Sequence, residues 1–285
     1  MAKVVYTPHS DASLSHVLSP LNIVRDLLPY RELIAAYTKR EYQAMHRSTM
    51  LGAAWAMLNP LILLALFTFV FGYVFHGRFS ADPNETPADF ALALFIGLSL
   101  YLCVGNALGQ SPNLMLANSS YVKTLTFPLE ILPVSLVIVL VVNLLISLGL
   151  CVGAFLITNG FVHWTTLFIL FHVAAVALIA LGISWFLSAL GVFVRDTSPI
   201  VSPISMVLMF VSGVFFSIDT LPPKMKFLFQ LNPLAIIIYQ ARQAMLHGQV
   251  PNILVLACIL ALSVGCAIFG YYFFSRTKIA FADVM

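Results

Sequence analysis

The chain has 285 residues, of which 61% are hydrophobic and 9% charged, with a formal net charge of +3. An ordinary soluble domain carries about 25% charged residues, so this composition excludes the soluble globular classes. In lipid only helices and closed barrels satisfy every backbone group, and the long apolar runs here lack the alternation of a barrel strand. The composition therefore predicts an all-α integral membrane protein.

In chain order, residues 1–26 read as a polar cytoplasmic tail and 27–50 as an amphipathic interface helix. No short apolar core precedes a small-residue cleavage site, so no cleaved signal peptide is expected. Within the helix, Tyr30, Leu33, Ile34, Tyr37 and Ala44 recur at helical spacing while Glu32, Lys39, Gln43 and His46 fall on the other side. Its basic residues serve either as a topological anchor or as a guide for an anionic lipid.

Residues 51–285 read as a six-span domain, with spans at about 52–75, 90–110, 131–157, 165–194, 199–217 and 252–275. The clearest evidence is that no Asp, Glu, Lys or Arg occurs between Glu130 and Arg195. A spanning helix needs ~20 apolar residues and a central charge costs roughly 2.5–3.5 kcal/mol on insertion scales, so this stretch crosses, turns and crosses back. Thr158, Asn159 and Gly160, with His163 and Trp164, mark the turn.

With the N-terminus inside, ten basic residues (Lys3, Arg25, Arg31, Lys39, Arg40, Arg47, Lys123, Arg195, Arg276, Lys278) are cytoplasmic and four (Arg78, Lys224, Lys226, Arg242) are outside. That bias obeys the positive-inside rule and makes both termini cytoplasmic. Ala81–Asp89 is acidic and expected as a solvated outer loop. Residues 218–250 are semi-apolar but interrupted by Pro222, Pro223, Asn232 and Pro233. Two short helices, Lys224–Leu231 and Leu234–His247, are predicted there, either in an outer loop or as a re-entrant gate.

Several chemistries are missing. No Gly-Lys pair occurs, so no phosphate-cradling loop is present and ATP is expected to bind elsewhere. No carboxylate lies within a span to form a proton or sodium relay, and no Asp-rich cluster is available for magnesium. His172, deep in a span, is expected as a hydrogen-bonded packing residue. Cys103, Cys151, Cys258 and Cys266 lie in apolar runs and are expected as small hydrophobes. No catalysis, resident cofactor, metal or nucleic-acid partner is expected. In the first span Phe67, Phe71 and Phe75 repeat every four residues, with Phe69 and Tyr73 on another face. The set suits either a glycan conduit or ordinary lipid-facing filling.

Four stretches carry a family resemblance: RSTMLGAAWAMLNPLILLALFTFVFGYVF from Arg47, NSSYVKTLTFPLEILP from Asn118, RDTSPIVSPI from Arg195, and GVFFSIDTLPPKMKFLFQLNPL from Gly213. In order and with sensible spacing, they resemble the permease subunit of ABC-type polysaccharide exporters. The likeness is strongest to the O-antigen, or lipopolysaccharide O-polysaccharide, branch, to which teichoic-acid exporters are related. Met45 and His46 depart from the pattern.

The resemblance implies a homodimer in the bacterial inner membrane, partnered by two cytoplasmic ATP-binding subunits that hold ATP and magnesium. Its cargo would be a polyprenyl-diphosphate-linked polysaccharide. Within loop 112–127, Asn118, Ser119, Ser120, Tyr121, Val122, Lys123 and Thr124 would form the coupling helix. Pro222, Pro223, Asn232, Pro233 and Arg242 would belong to a periplasmic gate. Phe67, Phe71, Phe75 and Tyr73 would line the channel, and Arg40 and Arg47 would meet the lipid diphosphate, since guanidinium groups pair phosphate oxygens bidentately. The alternatives are an exporter of teichoic acid, capsule or another amphiphile, an ion-driven secondary carrier, and a membrane transferase.

Overall fold

The computed structural model describes residues 20–46, 51–74, 86–122, 127–217 and 222–284, which are helical apart from short connections. Pro20–Leu27 (α1) and Arg31–His46 (α2) flank a 3-10 turn at Leu28–Tyr30. Pro29 supplies no backbone donor there, which divides the predicted interface helix. The expected tail boundary at residue 26 falls inside α1, whose Ile23 is buried beside the far end of the chain.

The first apolar run forms Trp55–Phe67 (α3) and then changes to a π-helical stretch, Thr68–Val74. Pro87–Ala117 (α4) starts earlier than predicted, because Thr86 and Asp89 form a capping box. The Asp89 amide donates to Thr86 Oγ1 at 3.2 Å, and the Thr86 amide donates to Asp89 Oδ2 at 3.2 Å. Asp89 is thus part of the helix's first turn rather than of a solvated loop. Beyond α4 comes a single helical turn, Ser119–Val122 (α5).

The charge-free stretch gives Ile131–Asn159 (α6), a turn, a 3-10 segment at Trp164–Phe168 and Ile169–Phe193 (α7). The turn sits at Gly160, where the sequence placed it. Thr197–Val211 (α8) stops six residues short of the expected span end. Ser212 Oγ donates to the Leu208 carbonyl at 2.6 Å, and Gly213 takes a φ of 65° that a continuing helix cannot use. Pro223–Gln230 (α9) and Pro233–Leu246 (α10) follow. Ile253–Thr277 (α11) and Phe281–Val284 (α12) close the chain.

Among the described residues, four helical segments are long and apolar enough to cross a membrane: Pro87–Ala117, Ile131–Asn159, Trp164–Phe193 and Ile253–Ala280. The chain is accordingly a multi-pass, all-α membrane protein. The other two expected spans are shorter: the apolar helix of the first ends near Val70 and that of the fifth is 15 residues, roughly 22 Å long against a ~30 Å hydrocarbon core.

Helix α7 is central, packed between α4, α6 and α11. Lipid tails are as apolar as Leu, so helices in a membrane associate through close backbone packing and shared polar groups. Both devices occur here. A Cβ on Gly182 of α7 would strike the Cys266 carbonyl, and one on Gly270 of α11 would strike the Gly182 carbonyl. Between α4 and α7, the buried hydroxyls of Ser111 and Ser184 share a hydrogen bond of 2.9 Å. His172 is buried, with Nδ1 2.9 Å from the Phe168 carbonyl one turn earlier.

Candidate functional site

Expected functional residues gather at opposite ends of the bundle. One end holds the close of α4, α5, the start of α6 and the end of α11, with α2 laid across them. At ~1.5 Å per residue the 31 residues of α4 reach roughly 46 Å, longer than the hydrocarbon core, so Asn118 and α5 can stand clear of it.

There Tyr37 of α2 donates its hydroxyl hydrogen to Asn118 Oδ1, and Asn118 Nδ2 donates to the Leu114 carbonyl at 2.9 Å. Arg40 Nη1 donates to the Tyr121 hydroxyl at 2.5 Å. The guanidinium carbon also lies 5.7 Å from the Tyr37 ring centre and 6.0 Å from that of Tyr121, within cation–π range. Tyr121 in turn packs on Phe127 at 4.6 Å. Burial, reinforced by the Glu41 carboxylate, pushes the Tyr37 hydroxyl up to about 12, so it remains a donor. The hydrogen bond to Tyr121 holds the exposed Arg40 protonated, its pKa raised further.

The sequence assigned Arg40 and Tyr121 to separate tasks, lipid contact and partner contact. The structure brings them together, so Arg40 is cross-tied to α5. Ser119, Ser120 and Val122 complete α5, whereas Lys123, Thr124 and Arg47 lie outside the described residues. Behind this layer Lys278 pairs with Glu130, and Trp185 Nε1 donates to the Glu130 carbonyl at 3.2 Å. These contacts fix the end of α11 and the middle of α7 to the start of α6.

At the other end, α10 is held inside the bundle. Its buried side chains include Leu234, Ile238 and Arg242, an i, i+4, i+8 series that places an arginine on the apolar stripe. Arg242 Nε donates to the Ala93 carbonyl of α4 at 2.7 Å. Nη1 and Nη2 donate to the carbonyls of Gly213 and Val214 at 2.7 and 2.6 Å. The latter two follow the C-terminus of α8, where the helix dipole favours a cation. Gly97 makes room, because a Cβ there would run into the guanidinium. Arg242 therefore does not belong with the outer-loop charges counted from sequence.

Asn232 occupies the junction of the two short helices. Its Oδ1 caps α10 by accepting from the Leu234 amide at 3.0 Å, and Nδ2 reaches Ser212 Oγ at 3.1 Å and the Val211 carbonyl at 3.3 Å. Pro233 is at N1 of α10 and Pro222 precedes α9. The helix boundaries agree with the predicted pair to within a residue or so. Pro223 opens α9.

The aromatic repeat of the first span fares differently. Phe67 is half-buried against the main core, and Phe69 is exposed. Phe71 and Tyr73 lie in the π-helical stretch, their side chains outside the described set, as is Phe75 entirely. Among the described residues no three His, Cys, Asp or Glu side chains converge to hold a metal.

The chain also matches known proteins. The family model described as ABC-2 type transporter matches residues 32–246. The chain is similar to an O-antigen export system permease protein RfbA of Klebsiella pneumoniae, 24% identical over 257 residues covering 89% of this chain and 95% of that protein. A protein of the same name from Myxococcus xanthus is 23% identical over 249 residues, covering 86% and 92% of the two chains.

Proposed function

Because the chain belongs to the ABC-2 type transporter family, we propose that it is the membrane-spanning subunit of an ATP-driven exporter. Its cargo is a lipid-linked polysaccharide of the O-antigen kind, moved outward across a bacterial inner membrane. The cargo rests on the names of relatives that cover nearly all of the chain. The coupling mechanism rests on one geometric observation: the turn α5 is tied to α2 by Tyr37–Asn118 and Arg40–Tyr121.

A cytoplasmic ATPase subunit docks on α5 and pushes. Because α5 is tied to α2, the push reaches the interface helix as well as α4. The six-span topology, with both termini cytoplasmic, puts these elements on one side and the α9–α10 gate on the other. Arg242 and Asn232 tie the gate to the start of α4 and the end of α8, so a tilt of α4 is felt at the gate. What supports a second copy is that short α3 and α8 present exposed apolar side chains, among them Met57, Ile62, Ile204 and Phe210. Two such chains enclose the channel, with Phe67 toward it. Arg40 and Arg47 meet the lipid diphosphate.

The test is purification of tagged chain from its native membrane and transport into inside-out vesicles. A stoichiometric ATPase subunit, with ATP-dependent glycan uptake that persists when the proton gradient is collapsed, is the expected result. A chain that purifies without an ATPase, or uptake that needs the proton gradient alone, contradicts the proposal and favours a secondary carrier.

A further inference from the structure

Between the interface helices and α6 runs an apolar groove of about 670 Å³, within the ~300–1,000 Å³ of small-molecule sites. Leu28, Ile34, Ile138 and Val142 form its walls, and Leu28 is more than half exposed. Arg31 and Lys39 border it, roughly 12 Å apart along α2. Both are exposed, and among the described residues no carboxylate lies within ion-pair distance of either. Between them Thr38 lines the groove, and its hydroxyl is buried without a hydrogen-bond partner. A helical threonine ordinarily returns its hydroxyl to the carbonyl one turn back, so an unpartnered one among apolar side chains marks a missing acceptor.

We propose that this groove binds an anionic phospholipid of the surrounding leaflet. One acyl chain lies along the α2–α6 walls, Thr38 donates to an ester or phosphate oxygen, and Arg31 and Lys39 hold the headgroup charge. The long stems of Arg and Lys cover apolar surface while their charged ends reach outward, so both converge on one phosphate region from their separate turns. The site is distinct from the Arg40–Tyr121 tie: Arg31, Thr38 and Lys39 line the groove, while Arg40 reaches α5. A bound lipid would wedge α2 against α6 and set the resting position of the interface helix.

The test uses the full chain, stripped of lipid in detergent and titrated with phosphatidylglycerol or phosphatidylcholine under native mass spectrometry. Each basic residue near an anionic headgroup contributes about fivefold in association, so phosphatidylglycerol should be retained at least about fivefold over phosphatidylcholine. In the Arg31→Ala/Lys39→Ala double variant that preference should vanish. Ala35→Trp, which fills the groove with both charges in place, should lose the bound lipid and keeps the test open if the double variant misfolds. Equal retention of the two lipids, or undiminished phosphatidylglycerol binding in a folded Ala35→Trp protein, overturns the proposal. So does one-for-one displacement by a polyprenyl diphosphate, which would give the groove to the cargo.

Discussion

Arg242 and Arg40 are the same residue type put to opposite uses at the two ends of the bundle. Arg242 is buried, and its planar donor fork is met by backbone carbonyls from α4 and from the segment after α8. Arg40 is exposed and is met by the face and hydroxyl of Tyr121 and the ring of Tyr37. A buried charge with each of its three nitrogens donating to a carbonyl cannot be released without a large penalty, whereas an exposed cation–aromatic contact forms and breaks cheaply. One end is therefore built as a rigid anchor, the other as a joint that a partner can work.

The largest expected effect breaks the anchor. Arg242→Met leaves the carbonyls of Ala93, Gly213 and Val214 without that donor and should destabilise the chain by roughly 3 kcal/mol. Thermal unfolding in detergent reads this out, and an unchanged melting temperature would remove the anchor from the account. Gly270→Val forces a branched side chain against the Gly182 carbonyl and should cost about 1–3 kcal/mol in the same assay by prising α11 from α7. Asn232→Ala removes the cap of α10 and its link to Ser212, for about 1 kcal/mol. Faster proteolysis between α9 and α10 would accompany it.

At the joint the effects on stability are smaller and pH reveals them. The folded pKa of Tyr37 is raised above its ordinary value of 10.0 to about 12, so the fold favours the protonated phenol. Its contribution is complete below pH 10 and is lost as pH rises through about 12. The wild-type protein should therefore weaken in that alkaline window more than Tyr37→Phe, as followed by melting curves. A Tyr37→Phe protein that weakens equally would show that another group is titrating. Arg40→Gln should leave the melting temperature essentially unchanged while reducing transport-coupled ATP hydrolysis. Loss of stability without loss of coupling would reverse the assignment of the two ends.

Much of the frame was legible because lipid imposes hard rules on sequence. The absence of charge from residue 131 to 194 required two spanning helices, and the polar break at Gly160 is where they turn. Pro223 and Pro233 open two short helices because their missing amide donors are harmless at a first turn. What escaped were contacts between distant residues. Tyr37 and Asn118 are 81 positions apart, and a pairing at that distance leaves no periodic trace. The change from α to π geometry after Phe67 also left no signal in a run of apolar residues. Arg242 did leave a clue: it continues the Leu234, Ile238 stripe, which a loop charge has no reason to do.

The most direct test of the central claim is ATP hydrolysis by the reconstituted complex in nanodiscs, with and without lipid-linked glycan, for wild type and Tyr121→Ala. The account predicts glycan-stimulated hydrolysis in the wild type. In the variant the ATPase should remain bound and hydrolyse at its basal rate, with the stimulation lost. Equal stimulation in both proteins would contradict it, because force would then pass from ATPase to permease without the joint between α5 and α2.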